Sequence, residues 1–196
     1  EGHEYMDPLR HLEPHVDMME PRPYTEFQSI LDDVPGNRHY WSADYHDAFP
    51  DDAVDVFVSS AIETPSTMTQ QILFSWGGAA GRVPEEETPL TNRSAPWVTH
   101  PFAVWQDPAA DQENIEWVRR FRNDIAPWAN GGVYLNFIGD EGAARIRQAY
   151  GEAKYERLRQ VKQEYDPDNV LRGNQNIAPT ASVGLADTGH VEVRHT

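Results

Sequence analysis

Helix-period stretches alternate with short β-rich ones along this chain. Tyr24 to Leu31 reads as a short helix, and Arg38 to Tyr45, with Tyr40, Trp41 and Tyr45, as a strand. Pro50-Asp51-Asp52 opens a helix, because acidic side chains favour a first turn. Its apolar positions Val54, Phe57, Val58, Ala61 and Ile62 recur at i, i+3, i+4, i+7 and i+8, which gathers them on one face, and Pro65 ends it. Met68 to Trp76 is a strand closed by Gly77-Gly78, and Arg82 to Pro96 is a polar loop punctuated by prolines. Trp97 to Trp105 is β-rich, but Pro101 removes a ladder donor, which predicts an edge or a bulge there. Asp111 to Trp128 is a long amphipathic helix with Trp117, Phe121 and Ile125 one turn apart. Gly132 to Ile138 reads as a strand. Glu141 to Tyr150 and Lys154 to Tyr165 read as two helices, the second with Leu158, Val161 and Tyr165 on one face. Thr180 to Thr196 is small, polar and aperiodic, the pattern of a loose tail.

The elements lack the regular rhythm of a parallel βαβ sheet. An α+β architecture fits, with an antiparallel β-sheet backed by helices on one face. The chain's 196 residues suit one domain, or one domain with a tail.

Composition narrows the chemistry. There is no cysteine, which excludes disulfides, zinc thiolate sites and cysteine nucleophiles. A net charge of −16 repels nucleic acid and anionic lipid. Only Lys154 and Lys162 are lysines. An acid-rich, lysine-poor surface fits a salt-adapted protein, in which concentrated salt screens the self-repulsion, and equally an ordinary acidic one. No apolar run reaches the roughly 20 residues of a membrane span. The N-terminal EGHEYMDPLR has neither an initiator Met nor a signal-peptide pattern, so the expectation is a cytoplasmic, partial or trimmed chain.

Motifs for metals and nucleophiles are missing. His11-Leu12-Glu13-Pro14-His15 places two histidines four apart, but the glutamate is displaced from the zinc-protease position and Pro14 breaks the helix. His39 and His46 read as structural. Asp166-Pro167-Asp168-Asn169 lacks the glycine and distant glutamate of a calcium loop and reads as a helix-ending turn. No G-x-S-x-G elbow and no glycine-rich phosphate loop is present, and Gly77 to Gly81 is a tight turn. Along Gly131 to Phe137, period-2 alternation puts Tyr134 and Asn136 on one face, and Val133, Leu135 and Phe137 on the other. Read alone, that pair is either a half-buried strand's polar face or a contact for a planar polar ligand.

The segment that follows supplies context. It contains Tyr150-Gly151, Arg157-Leu158, Val161-Lys162, Tyr165-Asp166-Pro167-Asp168-Asn169, Leu171-Arg172 and Asn174-Gln175-Asn176-Ile177 with Pro179. With Tyr134-Leu135-Asn136-Phe137 it resembles the C-terminal signature of the berberine-bridge-enzyme-like FAD-linked oxidases. That signature runs from a Y-x-N-[YF] strand, through two helices and a D-P-x-N turn, to a Q-[NS]-I-x-P finish. Weaker landmarks extend the resemblance over roughly residues 5 to 179: Pro23-Tyr24-Thr25 with Gln28, Arg38 to Trp41, Phe74 to Arg82, and Trp105.

The resemblance implies a division into a substrate-binding domain over residues 1–138, a berberine-like C-terminal segment over 139–179 and a flexible tail over 180–196. It implies FAD held by an N-terminal domain that this chain lacks, so that the chain by itself holds FAD poorly. That absent domain is the expected partner, together with a small-molecule substrate. An exposed interface would favour homodimers. The implied reaction is oxidation of an alcohol, sugar or amine carbon by hydride transfer to flavin, with O₂ as reoxidant. The family's usual base position is Phe137 here, which takes no proton. Tyr134 and His100 are therefore the candidate catalytic residues. Tyr134, Asn136 and Phe137 would contact cofactor, and Asn174, Gln175 and Asn176 would brace the junction with the flavin domain. The alternative is a stand-alone domain that binds a small ligand or partner without redox chemistry. A metal-dependent hydrolase is third.

Overall fold

The computed structural model describes residues 2–30, 32, 34–139, 141–173 and 175–180. It divides into two compact units, Glu1–Pro35 and Gly36–Thr196. The first contains α1 (Gly2–Arg10) and a single helical turn, α2 (Tyr24–Phe27), shorter than the sequence pattern predicts. Arg10 ties this unit together through Asp17, at 2.6 Å, and the carbonyl of Met19, at 3.2 Å.

The second unit is built on an antiparallel sheet. Its elements are β1 (Arg38–Trp41), β2 (Asp44–His46), α3 (Asp51–Ile62), β3 (Gln70–Ser75), α4 (Gly78–Gly81), β4 (Trp97–Trp105), α5 (Asp111–Ile125), α6 (Ala143–Tyr150) and α7 (Glu152–Tyr165). β4 is central: β1 and β2 pair along one side of it and β3 along the other. Pro101 is thus in the central strand, not at an edge. Nor is it a bulge, because Trp41↔Phe102 and Asp44↔Thr99 keep one register across it. The proline's missing N–H interrupts the ladder and splits one long strand into β1 and β2.

Alternation along the strands segregates the side chains. Ala103 and Trp105 of β4 point to one face, where α5 packs Trp117 and Val118 on them. Val98, His100 and Phe102 point to the other. On the helix side, α3 lies against α5 through Ala53, Phe121 and Ile125. The buried stripe of α3 is centred on Ala53 and Phe57. Val54, Val58 and Ile62, placed on the core face by their spacing, are 41%, 46% and 79% exposed. Both stripes have helical period. The small Ala53, fully buried, is what lets the backbones of α3 and α5 approach.

Charge is paired on the helix side. Arg38 grips Asp111 with two bonds, at 2.5 and 2.6 Å, and Trp105 Nε1 donates to the same carboxylate at 2.8 Å. Asp44, Arg145, Glu141 and Arg122 alternate in a partly buried ring of ion pairs at 3.0 to 3.3 Å. This ring fastens α6 to β2 and α5.

α6 and α7 are joined by Gly151 alone, at φ +70°, a left-handed value that favours glycine. The D-P-x-N turn after α7 also has a local cause. Asp166 accepts from the amides of Val170 and Leu171, at 2.7 and 2.9 Å, and binds the Lys162 ammonium, while Asn169 takes the left-handed region at φ +51°. Lys162 first, then the two amides, hold Asp166 below the usual carboxylate range. No helix among the described residues is long and apolar enough to cross a membrane.

Candidate functional site

The sheet face away from α3 and α5 carries a different set of side chains, part of it buried where Tyr45 and Val98 cluster with Val133, Ile138 and Ala149 of α6. His39 and Trp41 reach it from β1, Tyr45 from β2, Ile72 and Phe74 from β3, and His100 and Phe102 from β4. No strand residue on this face is Asp, Glu, Lys or Arg, although a quarter of the chain (24%) is charged.

Residues 132–138, expected as a strand, are not one. Asn130 N donates to Tyr45 O at 2.9 Å, and Gly132 O accepts from Tyr45 N at 3.1 Å. These two bonds dock the chain on the free edge of β2. A β-carbon at Gly132 would lie 2.1 Å from Asn92 Nδ2, so a larger residue here would have to displace the Asn92 side chain. The chain then leaves the sheet edge and winds into a 3-10 turn, Leu135–Phe137, over the open face. The turn is held from downstream: Gln175 Nε2 donates to Leu135 O and to Ile138 O, each at 3.0 Å.

This turn brings four sequence-predicted residues together. The Phe137 ring stacks on His100, with centroids 4.3 Å apart and planes at 19°, and on Phe74 at 5.2 Å. Tyr134 stands edge-on to Phe137 at 4.7 Å and leans on Trp76 at 4.9 Å. Asn136 is exposed, and its Nδ2 donates to the Tyr134 phenol oxygen at 2.9 Å. The expected pairing of Tyr134 with Asn136 thus holds by a direct hydrogen bond rather than by strand alternation.

His100 is 8% exposed, and its Nδ1 lies 2.9 Å from Ser42 O. A carbonyl only accepts, so Nδ1 carries the proton and Nε2 holds a lone pair. Burial pushes this imidazole below the ordinary histidine range, against a smaller upward pull from the Ser42 carbonyl. His100 is therefore neutral near pH 7. Tyr45 beneath Tyr134 is fully buried, and burial pushes its phenol far above the ordinary range.

The bracing residues divide. Gln175 fixes the site turn itself. Asn176 lines an open depression of about 610 Å³ with Lys162, Leu171 and Ile177. Asn174 lies outside the described residues. Sequence reading did not assign Trp41, Phe74, Trp76 or Phe102 to the site. Only Phe102 alternates with His100 in the sequence; the register of β1 and β3 on β4 puts Trp41 and Phe74 on its face, and Trp76 joins through Tyr134.

Comparison with known proteins bears on the family. Residues 133–178 match the family described as berberine and berberine-like. An FAD-linked oxidoreductase of Bacillus subtilis, YvdP, is 30% identical over 176 residues, covering 90% of this chain and 36% of the relative. Aclacinomycin-N/aclacinomycin-A oxidase of Streptomyces galilaeus is 28% identical over 124 residues, 55% of this chain and 23% of the relative. Among solved structures, BBE-like 1 of Physcomitrella patens superposes with a TM-score of 0.65 at 20% identity, over 76% of this chain and 32% of that one. The chain matches between about a quarter and about a third of the length of these relatives. Signature, fold and relatives together place it in the berberine-bridge-enzyme-like family of FAD-linked oxidoreductases.

Proposed function

We propose that this chain forms the substrate-facing wall of an FAD-dependent oxidase acting on an alcohol, sugar or amine carbon. The observation that carries the reading is the uncharged aromatic sheet face with a neutral, single-bonded histidine under Phe137. Such a face suits a planar ring system, and the exposed Asn136 amide keeps its oxygen available as an acceptor for one edge of it. The same face has no Lys or Arg among its strand residues for a pyrophosphate. The fit is therefore to the ring of FAD and not to its phosphates, which leaves their grip to another part of the full-length protein. Tyr165, Val170 and Leu171, each at least 74% exposed, support such a covering domain.

Bound FAD would accept the hydride and pass the electrons to O₂. His100 Nε2 takes the proton of the substrate hydroxyl or amine. The burial that keeps it neutral also disfavours the imidazolium, so the proton passes on after each turnover. Tyr134 uses its oxygen as acceptor toward Asn136, which leaves its O–H to orient the reacting oxygen or nitrogen. Phe137 shields the imidazole from water.

The test is the full-length oxidase with His100→Gln. Turnover falls at least about 100-fold, the scale of a lost general base, while flavin absorbance and content stay as in the parent. Full turnover in the variant removes His100 from the mechanism. A full-length protein with no flavin overturns the whole reading.

A further inference from the structure

The proton on His100 Nδ1 has a cause next to it in sequence. Ser42 and Pro101 face each other across β1/β2 and β4 in the shared register, and Ser42 N donates to Pro101 O at 3.3 Å. In an antiparallel ladder such a pair exchanges two bonds, the second running from the N–H of residue 101 to Ser42 O. Proline has no N–H. Ser42 O is thus left without its ladder donor in the interior of a sheet, where carbonyls are almost always satisfied. His100 Nδ1–H takes the vacated place at 2.9 Å.

We propose that Pro101 is a positioning residue for His100. By withholding one backbone donor it gives the Ser42 carbonyl to the imidazole and fixes the tautomer in which Nε2 is the base. The inference rests on the proposed role of His100, but it concerns a proton position that is measured without turnover. It also accounts for a proline in the middle of a central strand, where its lost ladder bond has no other return. Most other residues at 101 would restore the ladder bond and compete for Ser42 O.

The experiment is ¹⁵N NMR of the imidazoles in the 196-residue chain above pH 7, comparing the parent with Pro101→Ala. In the parent, His100 is expected with Nδ1 protonated and Nε2 unprotonated. In Pro101→Ala, the amide of residue 101 becomes protected from exchange and the Nδ1–H form of His100 falls to about half or less, as Nε2–H competes. His46, whose Nδ1 binds Trp128 O at 3.1 Å, is the internal control and keeps its tautomer. An Nε2–H parent, or an unchanged His100 in the variant, overturns the proposal. Pro101→Val, a residue suited to strands, gives the same reading should the alanine variant fold poorly. The same variant in the full-length oxidase separates the two claims. A tautomer shift with unchanged turnover upholds Pro101 and removes His100 as base. A tautomer shift with reduced kcat, little change in KM and a displaced acidic limb of the pH profile upholds both.

Discussion

His46 and His100 occupy opposite faces of the same sheet, and both are buried. His46 lies on the helix side with both ring nitrogens engaged, Nδ1 with Trp128 O at 3.1 Å and Nε2 with Thr99 Oγ1 at 2.9 Å. His100 lies on the open side with one nitrogen engaged and one spare. The same contrast runs through the two faces. Toward the helices, Arg38, Asp44, Glu141 and Arg145 are matched with partners. Away from them, rings and amides stand without charge. Charged side chains on the helix side are paired with one another, whereas His100 on the other face keeps one ring nitrogen spare, and that spare capacity is available for chemistry.

The largest effect that would sharpen this contrast comes from the ion-pair ring. Glu141→Ala removes one of two carboxylates shared by the partly buried Arg122 and Arg145, leaving Asp44 to both, and is expected to cost about 1.5 to 3 kcal/mol. Urea unfolding measures it, and a loss under about 1 kcal/mol would show the ring to be ornamental.

The next test is pH. Burial lowers both histidines below their ordinary 6.5. Below that value the unfolded chain takes up protons that the folded chain refuses. Stability contributed by the neutral histidines is present above pH 6.5 and falls with decreasing pH, until the folded-state values are passed. Each histidine contributes a slope of up to about 1.4 kcal/mol per pH unit. Urea unfolding of the parent and of His46→Gln between pH 7.5 and 5.5 should differ by up to one proton's slope. Equal slopes would mean that His46 titrates normally in the fold.

A smaller effect is expected on the open face. Phe137→Ala removes a half-buried ring and should cost about 1 to 2 kcal/mol, less than a fully buried aromatic. It also rehydrates His100, whose NMR titration moves up toward the ordinary range while that of His46 stays. The smallest is Asn136→Ala, an exposed change expected within about 0.5 kcal/mol of the parent by thermal melting. A large loss there would mean that the open face also holds the fold.

Much of this architecture is legible in the residue pattern, where local physics decides it. Trp117, Phe121 and Ile125 at one-turn spacing mark α5, and Tyr150-Gly151 marks the joint before α7. The C-terminal signature is legible because its turn is self-contained in Asp166 to Leu171. Three features were not legible, each because a distant partner decides it. Val133, Leu135 and Phe137 alternate like a strand, but the Gln175 amide holds the carbonyls of Leu135 and Ile138 in a turn. α3 offers two apolar stripes, and its neighbour α5 chooses the one with Ala53. Pro101 argues for an edge by its chemistry, yet it is central, because a histidine side chain substitutes for its missing bond. For the candidate site, His100, Tyr134, Asn136 and Phe137 were singled out from the sequence, but their contacts with one another were not legible there.

Leu135 precedes its clasp, Gln175, by 40 residues. At about 5 to 20 residues per second of synthesis, the clasp follows its loop by about 2 to 8 s. A nascent chain therefore holds the sheet before it holds the turn over His100, and the candidate site is among the last parts finished. A single proteolytic cut in the exposed stretch 170–173 would undo that last step alone, unlatching Tyr134 and Phe137 while leaving every strand paired.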